Sequence, residues 1–193
     1  VDEPFAVDAH LWYQDNDGDG YGDPTLPSLM SCNQPGSFFV EDSTDCNDRD
    51  NSIHPGATEM TGDEVDQNCD NAETCYLDND GDGYLDTSGN TINSSDTDCQ
   101  DPNEGTVNTP TTDCNDQDGS IYPGATEGVG DQVDQDCDGT ELCYLDNDGD
   151  GYLDGQGQTV VSTDTDCQDL YEGTLSTPTT DCNDNNSSIH PGA

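Results

Sequence analysis

The sequence predicts a small, irregular, loop-rich repeat protein, with short strands and helical turns in an elongated array of about 2.7 units of ~68 residues. Three observations point there. Leu, Ile, Val and Phe make up only about 13% of the 193 residues, and the formal charge is −44 with Arg49 as the one basic side chain. That composition by itself describes a disordered acidic chain, because so few apolar groups do not offset the entropy of ordering. Against disorder stand ten cysteines, an even number that suggests disulfides in an oxidising compartment. The third observation is that the acids recur in short blocks at fixed offsets.

The first block spans Tyr13–Tyr21, Tyr76–Tyr84 and Tyr144–Tyr152. The second, Asp-Cys-Asn-Asp, begins at Asp45, Asp113 and Asp181, with both steps 68 residues. The third runs Gly62–Asp70 and Gly130–Asp138. The divisions that follow are an N-terminal arm at 1–12, repeat 1 at 13–75, repeat 2 at 76–143 and a partial repeat 3 at 144–193. Gly, Pro, Asn, Asp, Ser and Thr dominate, so most of the backbone is expected in turns and loops. The Pro-Gly pairs at 55–56, 123–124 and 191–192 read as turns, and 62–69 as one short helical turn. The Tyr-Leu pairs before the first block and Thr159-Val160-Val161 read as short strands. Thr/Pro tracts at 106–112 and 174–180 read as exposed connectors. Asn93, Asn185 and Asn186 each begin an Asn-x-Ser sequon, which admits glycans.

Nucleic acid and anionic membranes are excluded as partners by the near-absence of Lys and Arg. No apolar run approaches the roughly 20 residues of a membrane helix. A catalytic set is not supported, and the chain is expected not to be an enzyme. The cysteines occupy repeat-wide positions, and no Ser stands in a nucleophile context.

The first block carries the chemistry. Asp15, Asp17 and Asp19 stand at loop positions 1, 3 and 5, with Gly20 at 6. Alternate residues of a tightly curled loop face its concave side, where three hard oxygens meet one hard cation, and Gly allows the bend. Tyr21 offers its backbone carbonyl at position 7 and Asp23 stands at 9. The same roles fall on Asp78, Asp80, Asp82, Tyr84 and Asp86, and on Asp146, Asp148, Asp150, Tyr152 and Asp154. Position 12 lacks the usual Glu, having Leu26, Gly89 and Gly157, so Asp45 or Asp48 and their equivalents are expected to complete the shell. Calcium suits these oxygens better than magnesium, which prefers few protein carboxylates, and better than zinc or iron, which want converging His or thiolates. The bland alternative is a solvated acidic linker, which three copies with Gly in register disfavour.

The second block offers Asp45, Asn47, Asp48, Asp50 and the Ile53 carbonyl, then Asp113, Asn115, Asp116, Asp118 and Ile121, then Asp181, Asn183, Asp184, Asn185 and Ile189. The third offers Glu59, Asp63, Asp66, Asn68 and Asp70, then Glu127, Asp131, Asp134, Asp136 and Asp138. These groups serve either as direct ligands or as caps on the loops. Counting blocks gives about eight Ca2+ per chain, so the array is held by calcium ions and disulfides. His54 and His190 share a repeat position with Tyr122 and read as turn-packing side chains.

Two cysteine pairings are open. The first, with Cys46–Cys69, Cys75–Cys99 and their equivalents, strands Cys32 and Cys182, which would then be able to link neighbouring chains. The second uses all ten: Cys32–Cys46, Cys69–Cys75, Cys99–Cys114, Cys137–Cys143 and Cys167–Cys182. The second is preferred because it leaves none over.

In order and spacing, the three motifs resemble the MopE-like metal-binding repeats of secreted bacterial proteins, over about residues 13–193. That resemblance implies a secreted or surface protein whose Asp-rich loops bind metal, copper being the family's namesake. The loops are also similar to thrombospondin type-three calcium repeats. The reading is an extracellular calcium-binding structural repeat. Its third unit stops at Ala193, and this suggests head-to-tail self-association through both chain ends into a surface filament or stalk. Asp2, Glu3 and Asp8 would add carboxylates, and Phe5, Val7, Leu11 and Trp12 an apolar plug. The alternative is a secreted scavenger of copper or another transition metal.

Overall fold

A computed structural model describes residues 8–193. Phe5 and Val7, expected in the apolar plug, lie outside that range, as do Asp2 and Glu3. Among the described residues there is no helix, and nine short strands form three three-stranded antiparallel sheets. In the first, β1 (His10–Gln14) lies between β2 (Leu29–Ser31) and β3 (Phe39–Val40). In the second, β4 (Thr74–Leu77) lies between β5 (Thr91–Asn93) and β6 (Glu104–Gly105). In the third, β7 (Leu142–Leu145) lies between β8 (Thr159–Val161) and β9 (Glu172–Gly173). The expected strands at Tyr-Leu and at 159–161 are β4, β7 and β8. Register repeats at 68 residues: Tyr76 faces Gly105 and Tyr144 faces Gly173. Leu11 and Trp12 are laid into β1 of the chain's own first sheet, where the Trp12 indole donates to the Ser31 carbonyl at 3.0 Å.

The expected helical turn at 62–69 is absent. Glu64, Cys69 and Asn71 have φ of 61°, 60° and 66°, and Gln132 and Cys137 repeat this in the next copy at 65° and 57°. Left-handed residues at this spacing break a right-handed helix and produce a chain of bends. The Thr/Pro tracts are also more than connectors. Val107 donates to the Gly62 carbonyl at 2.9 Å and Leu175 to that of Gly130 at 2.9 Å, so each tract is tied to the third block. Gly62 is required at this crossing, since its φ is +72° and a Cβ there would lie 2.9 Å from the Val107 nitrogen.

The disulfides are Cys46–Cys69, Cys75–Cys99, Cys114–Cys137 and Cys143–Cys167. This overturns the preferred pairing of sequential neighbours. Between Cys69 and Cys75 the chain passes from a turn into β4, which carries the two side chains to different partners. Cys75 faces inward to the segment returning after β5, while Cys69 stays against the second block, with its sulfur 3.2 Å from the Cys46 amide. Bridges over 23 or 24 residues join distant elements instead of closing short loops. Cys182 is exposed and outside these four bridges. The Cys32 sulfur lies 3.5 Å from the Asp8 carboxylate.

Sulfur makes up much of the apolar interior: the buried apolar side chains described are Cys75, Leu85, Cys99, Ile121, Cys143, Leu153 and Cys167. Ten Asp or Glu side chains are buried with them. The chain divides into two compact units, residues 1–77 with 89–108, and residues 78–88 with 109–193. The first holds the sheets built on β1 and β4. The second holds the sheet built on β7, together with the first-block loop that follows β4 in sequence.

Candidate metal centres

Each central strand runs directly into a first-block loop: Asp15 follows β1, Asp78 follows β4 and Asp146 follows β7. The leading Asp organises the bend. Its two carboxylate oxygens accept the amides of Gly18 and Gly20 at 2.7 and 3.3 Å in the first loop. The counterparts are Gly81 and Gly83 on Asp78 at 2.6 and 2.9 Å, and Gly149 and Gly151 on Asp146 at 2.7 and 2.8 Å. Asp19, Asp82 and Asp150 accept the amides of Tyr21, Tyr84 and Tyr152 with one oxygen each. The other oxygen is left over.

A second segment is drawn against each loop by backbone bonding. The Asp45 amide donates to Gly22, that of Asp113 to Leu85 and that of Asp181 to Leu153, at 3.3, 3.1 and 3.0 Å. Leu85 and Leu153 in turn donate to Pro110 and Pro178 at 2.8 Å. This ladder delivers two more carboxylates to each loop. Asp48 accepts the backbone and side-chain amides of Asn16. Asp116 accepts the Asn79 amide at 2.9 Å, and Asp184 that of Asn147 at 3.2 Å. The first and second blocks are therefore halves of one composite cluster. In the first copy, oxygens of Asp15, Asp17 and Asp19 lie within 4.8 Å of one another, and so do those of Asp17, Asp45 and Asp48.

Every cluster holds buried carboxylate oxygens with no hydrogen-bond partner. They are one oxygen each of Asp17, Asp19 and Asp45; both of Asp80 and one each of Asp82 and Asp113; and both of Asp148 and one each of Asp150 and Asp181. Burial, and then the neighbouring carboxylates, push the Asp17, Asp80, Asp82 and Asp148 carboxyls above their ordinary values. Burial also raises Asp45 and outweighs the bond from the Asn47 amide. Such a cluster has to be offset by protons or by a cation, and Arg49 is the sole Lys or Arg of the sequence.

Other candidates are turned elsewhere. Asp23, Asp86 and Asp154 accept the amides of Thr25, Ser88 and Gln156, and Asp50 and Asp118 accept both groups of Ser52 and Ser120. The serine hydroxyls hold Asp50, Asp86 and Asp118 below the usual carboxylate range. Asn47, Asn115 and Asn183 donate their amides to Asp45, Asp113 and Asp181. Ile53, Ile121 and Ile189 close the next turn. The position matching Asp50 in the third copy is Asn186, not Asn185: Asn186 accepts the Ser188 amide at 3.2 Å, while Asn185 accepts from the Asn147 side chain at 2.8 Å. The rings of Tyr21, Tyr84 and Tyr152 stack on His54, Tyr122 and His190, with centroids 5.3, 5.7 and 5.3 Å apart.

In the third block, Asp66 accepts the amides of Asp70 and Asn71, Asn68 accepts that of Asp70, and Asp70 accepts that of Ala72. Asp134, Asp136 and Asp138 repeat the pattern. Asp63 and Asp131 each hold a Gln side chain, that of Gln67 and that of Gln135. Glu59 and Glu127 use one oxygen on the amides of Asn68 and Asp136 and leave the other buried and unpartnered. Sequence reasoning missed Glu73 and Glu141, which are 1% and 0% exposed. The signal that points to them is a Glu ahead of each of these central strands, 68 residues apart. It also missed Glu104, which has one buried, unpartnered oxygen close to Asp96, Asp98 and Asp101.

Residues 45–74, 113–141 and 181–193 match the Cu-binding MopE family, described as a putative metal-binding motif. The chain carries the MopE-type motif three times. Each match covers a second block, and the two longer ones run on through the third block. The MopE-type motif thus supplies Asp45 and Asp48 to the composite cluster, while the loop of Asp15, Asp17 and Asp19 comes from outside it. No curated protein and no solved structure matches the chain. Clusters that pair Asp45 or Asp113 with cysteines offer no thiolate, because those cysteines are bridged.

Proposed function

We propose that the chain is a non-catalytic, extracellular structural protein whose composite clusters hold calcium in place of an apolar core. The observation that carries the reading is the repeated set of buried, unpartnered carboxylate oxygens. The donors are all hard oxygens, which suit calcium. In the first cluster two overlapping triplets share Asp17, and two divalent ions would balance four of its five carboxylates. Two ions in each of the three clusters give six. The four disulfides suit an oxidising compartment, where loops of this kind bind calcium at about 10⁻⁴–10⁻³ M. Elemental analysis of the native protein tests this: calcium near six or above supports it, and calcium-free protein refutes it.

The family's copper description favours a second reading, a copper scavenger, for which the same analysis would find stoichiometric copper. Oxygen-only clusters and histidine rings stacked on tyrosine suit copper less well. The proposal extends to self-association into a filament or stalk, supported by Phe38, Leu170 and Leu175, each about two-thirds exposed. Electron microscopy with calcium and with chelator tests it; monodisperse particles in both would exclude assembly.

A further inference from the structure

We propose that Glu73 with Glu59 and Asp63, and Glu141 with Glu127 and Asp131, form a second class of buried site for a hard divalent cation, one in each of the first two repeats. The proposal rests on the reading that this chain's carboxylate clusters hold cations, and it adds sites that the composite clusters do not include.

Glu141 is fully buried and neither of its carboxylate oxygens makes a well-formed hydrogen bond; the nearby Gln132 and Gly130 amides offset only part of the cost of burial. Glu73 is 1% exposed; one oxygen accepts the Thr74 amide at 3.1 Å and the other has no partner. A fully buried carboxylate left in this state is strongly unfavourable unless a charge meets it. The charges acting on Glu73 are those of Glu59 and Asp63, and those acting on Glu141 are Asp131 and Glu127, all of the same sign. Glu59 and Glu127 each add a buried, unpartnered oxygen.

The backbone that carries each glutamate is fixed on both sides. The Glu73 and Glu141 carbonyls accept the amides of Ser94 and Ser162 at 2.8 Å. The residue that follows each glutamate is fixed as well: the Thr74 carbonyl accepts the Gly62 amide at 2.8 Å and the Leu142 carbonyl that of Gly130 at 2.7 Å. One cluster lies in the first compact unit and its copy in the second, with the same partners at a spacing of 68 residues.

A proton is the competing occupant. Burial and the adjacent carboxylates push Glu73 and Glu141 up to about 7 without metal. One proton covers one oxygen, yet the second cluster has three unpartnered oxygens, two on Glu141 and one on Glu127. A divalent cation supplies two charges to the group where a proton supplies one, and leaves the three carboxylates with a net charge of −1. The proposed site is thus built from glutamates on either side of the third block, while Asp66, Asn68 and Asp70 face backbone amides of the block and its C-terminal end.

The test is bound calcium per full-length chain at saturation, for the wild type and for the double variant Glu73→Gln, Glu141→Gln. The wild type is expected to hold eight and the double variant six, while each single variant loses one. A wild-type count of six, unchanged in the double variant, overturns this proposal and leaves the composite clusters standing. A count of zero overturns both. Should the double variant not form its four disulfides, the wild-type count alone decides, eight supporting the sites and six refuting them.

Discussion

Removing calcium is the perturbation with the largest expected effect. Six ions in the composite clusters, each bound at about 10⁻⁴–10⁻³ M, would each stabilise the fold by about 1.4–2.7 kcal/mol at 10 mM free calcium. The total, on the order of 8–16 kcal/mol, equals or exceeds the whole stability of an ordinary domain, roughly 5–15 kcal/mol. The apolar interior offers little to replace it, since two leucines, one isoleucine and four of the bridged cysteines are the buried apolar side chains described. The chelated chain should therefore lose its tertiary packing while its four disulfides stay closed. Urea unfolding, followed by near-ultraviolet circular dichroism across a calcium series, reads this directly. The midpoint should climb with the logarithm of free calcium, and the slope counts the ions released. Equal midpoints in chelator and in 10 mM calcium would refute the argument that cations substitute for a core.

Acidity should act in opposite directions with and without metal. Burial, then the charge of Glu59 or Asp131, lifts Glu73 and Glu141 to about 7 from 4.5, so their contribution to stability is full below 4.5 and is lost as pH rises through 7. Chelated protein should thus unfold more readily in urea at pH 8 than at pH 5.5, and calcium-loaded protein should show the reverse, because protons compete with the cation. Replacing Cys75 and Cys99 together by serine opens a bridge spanning 24 residues and should cost about 3.5 kcal/mol, read as a lower urea midpoint in calcium. Gly62→Ala places a Cβ 2.9 Å from the Val107 nitrogen at φ +72°. It should cost more than Gly20→Ala, where φ is +99° but the space is open and only the left-handed penalty of about 1–2 kcal/mol applies. Asp45→Asn removes a carboxylate of the proposed first site that comes from outside its loop, and should lower the calcium bound per chain without reducing it to zero.

What the sequence determined by itself is the part of this protein encoded over a few residues. The bend of Asp15 around Gly18 and Gly20 and the Pro-Gly turns depend on bonds between residues a few positions apart, and those spacings are visible in the string. So is the 68-residue repeat. The missing Glu at position 12 already pointed from the first block to Asp45 or Asp48, but tertiary structure decided how the two blocks are joined. The rungs from Asp113 to Leu85 and from Asp181 to Leu153 were not legible, because backbone ladders leave no residue signature. The same reason defeated the cysteine pairing: β4 takes Cys75 away from Cys69, six residues earlier, and presents it to Cys99. Glu73 and Glu141 look like two more acids among many. Their burial comes from the strands they precede and from the tract that crosses at Gly62 and Gly130, and so it was decided by packing.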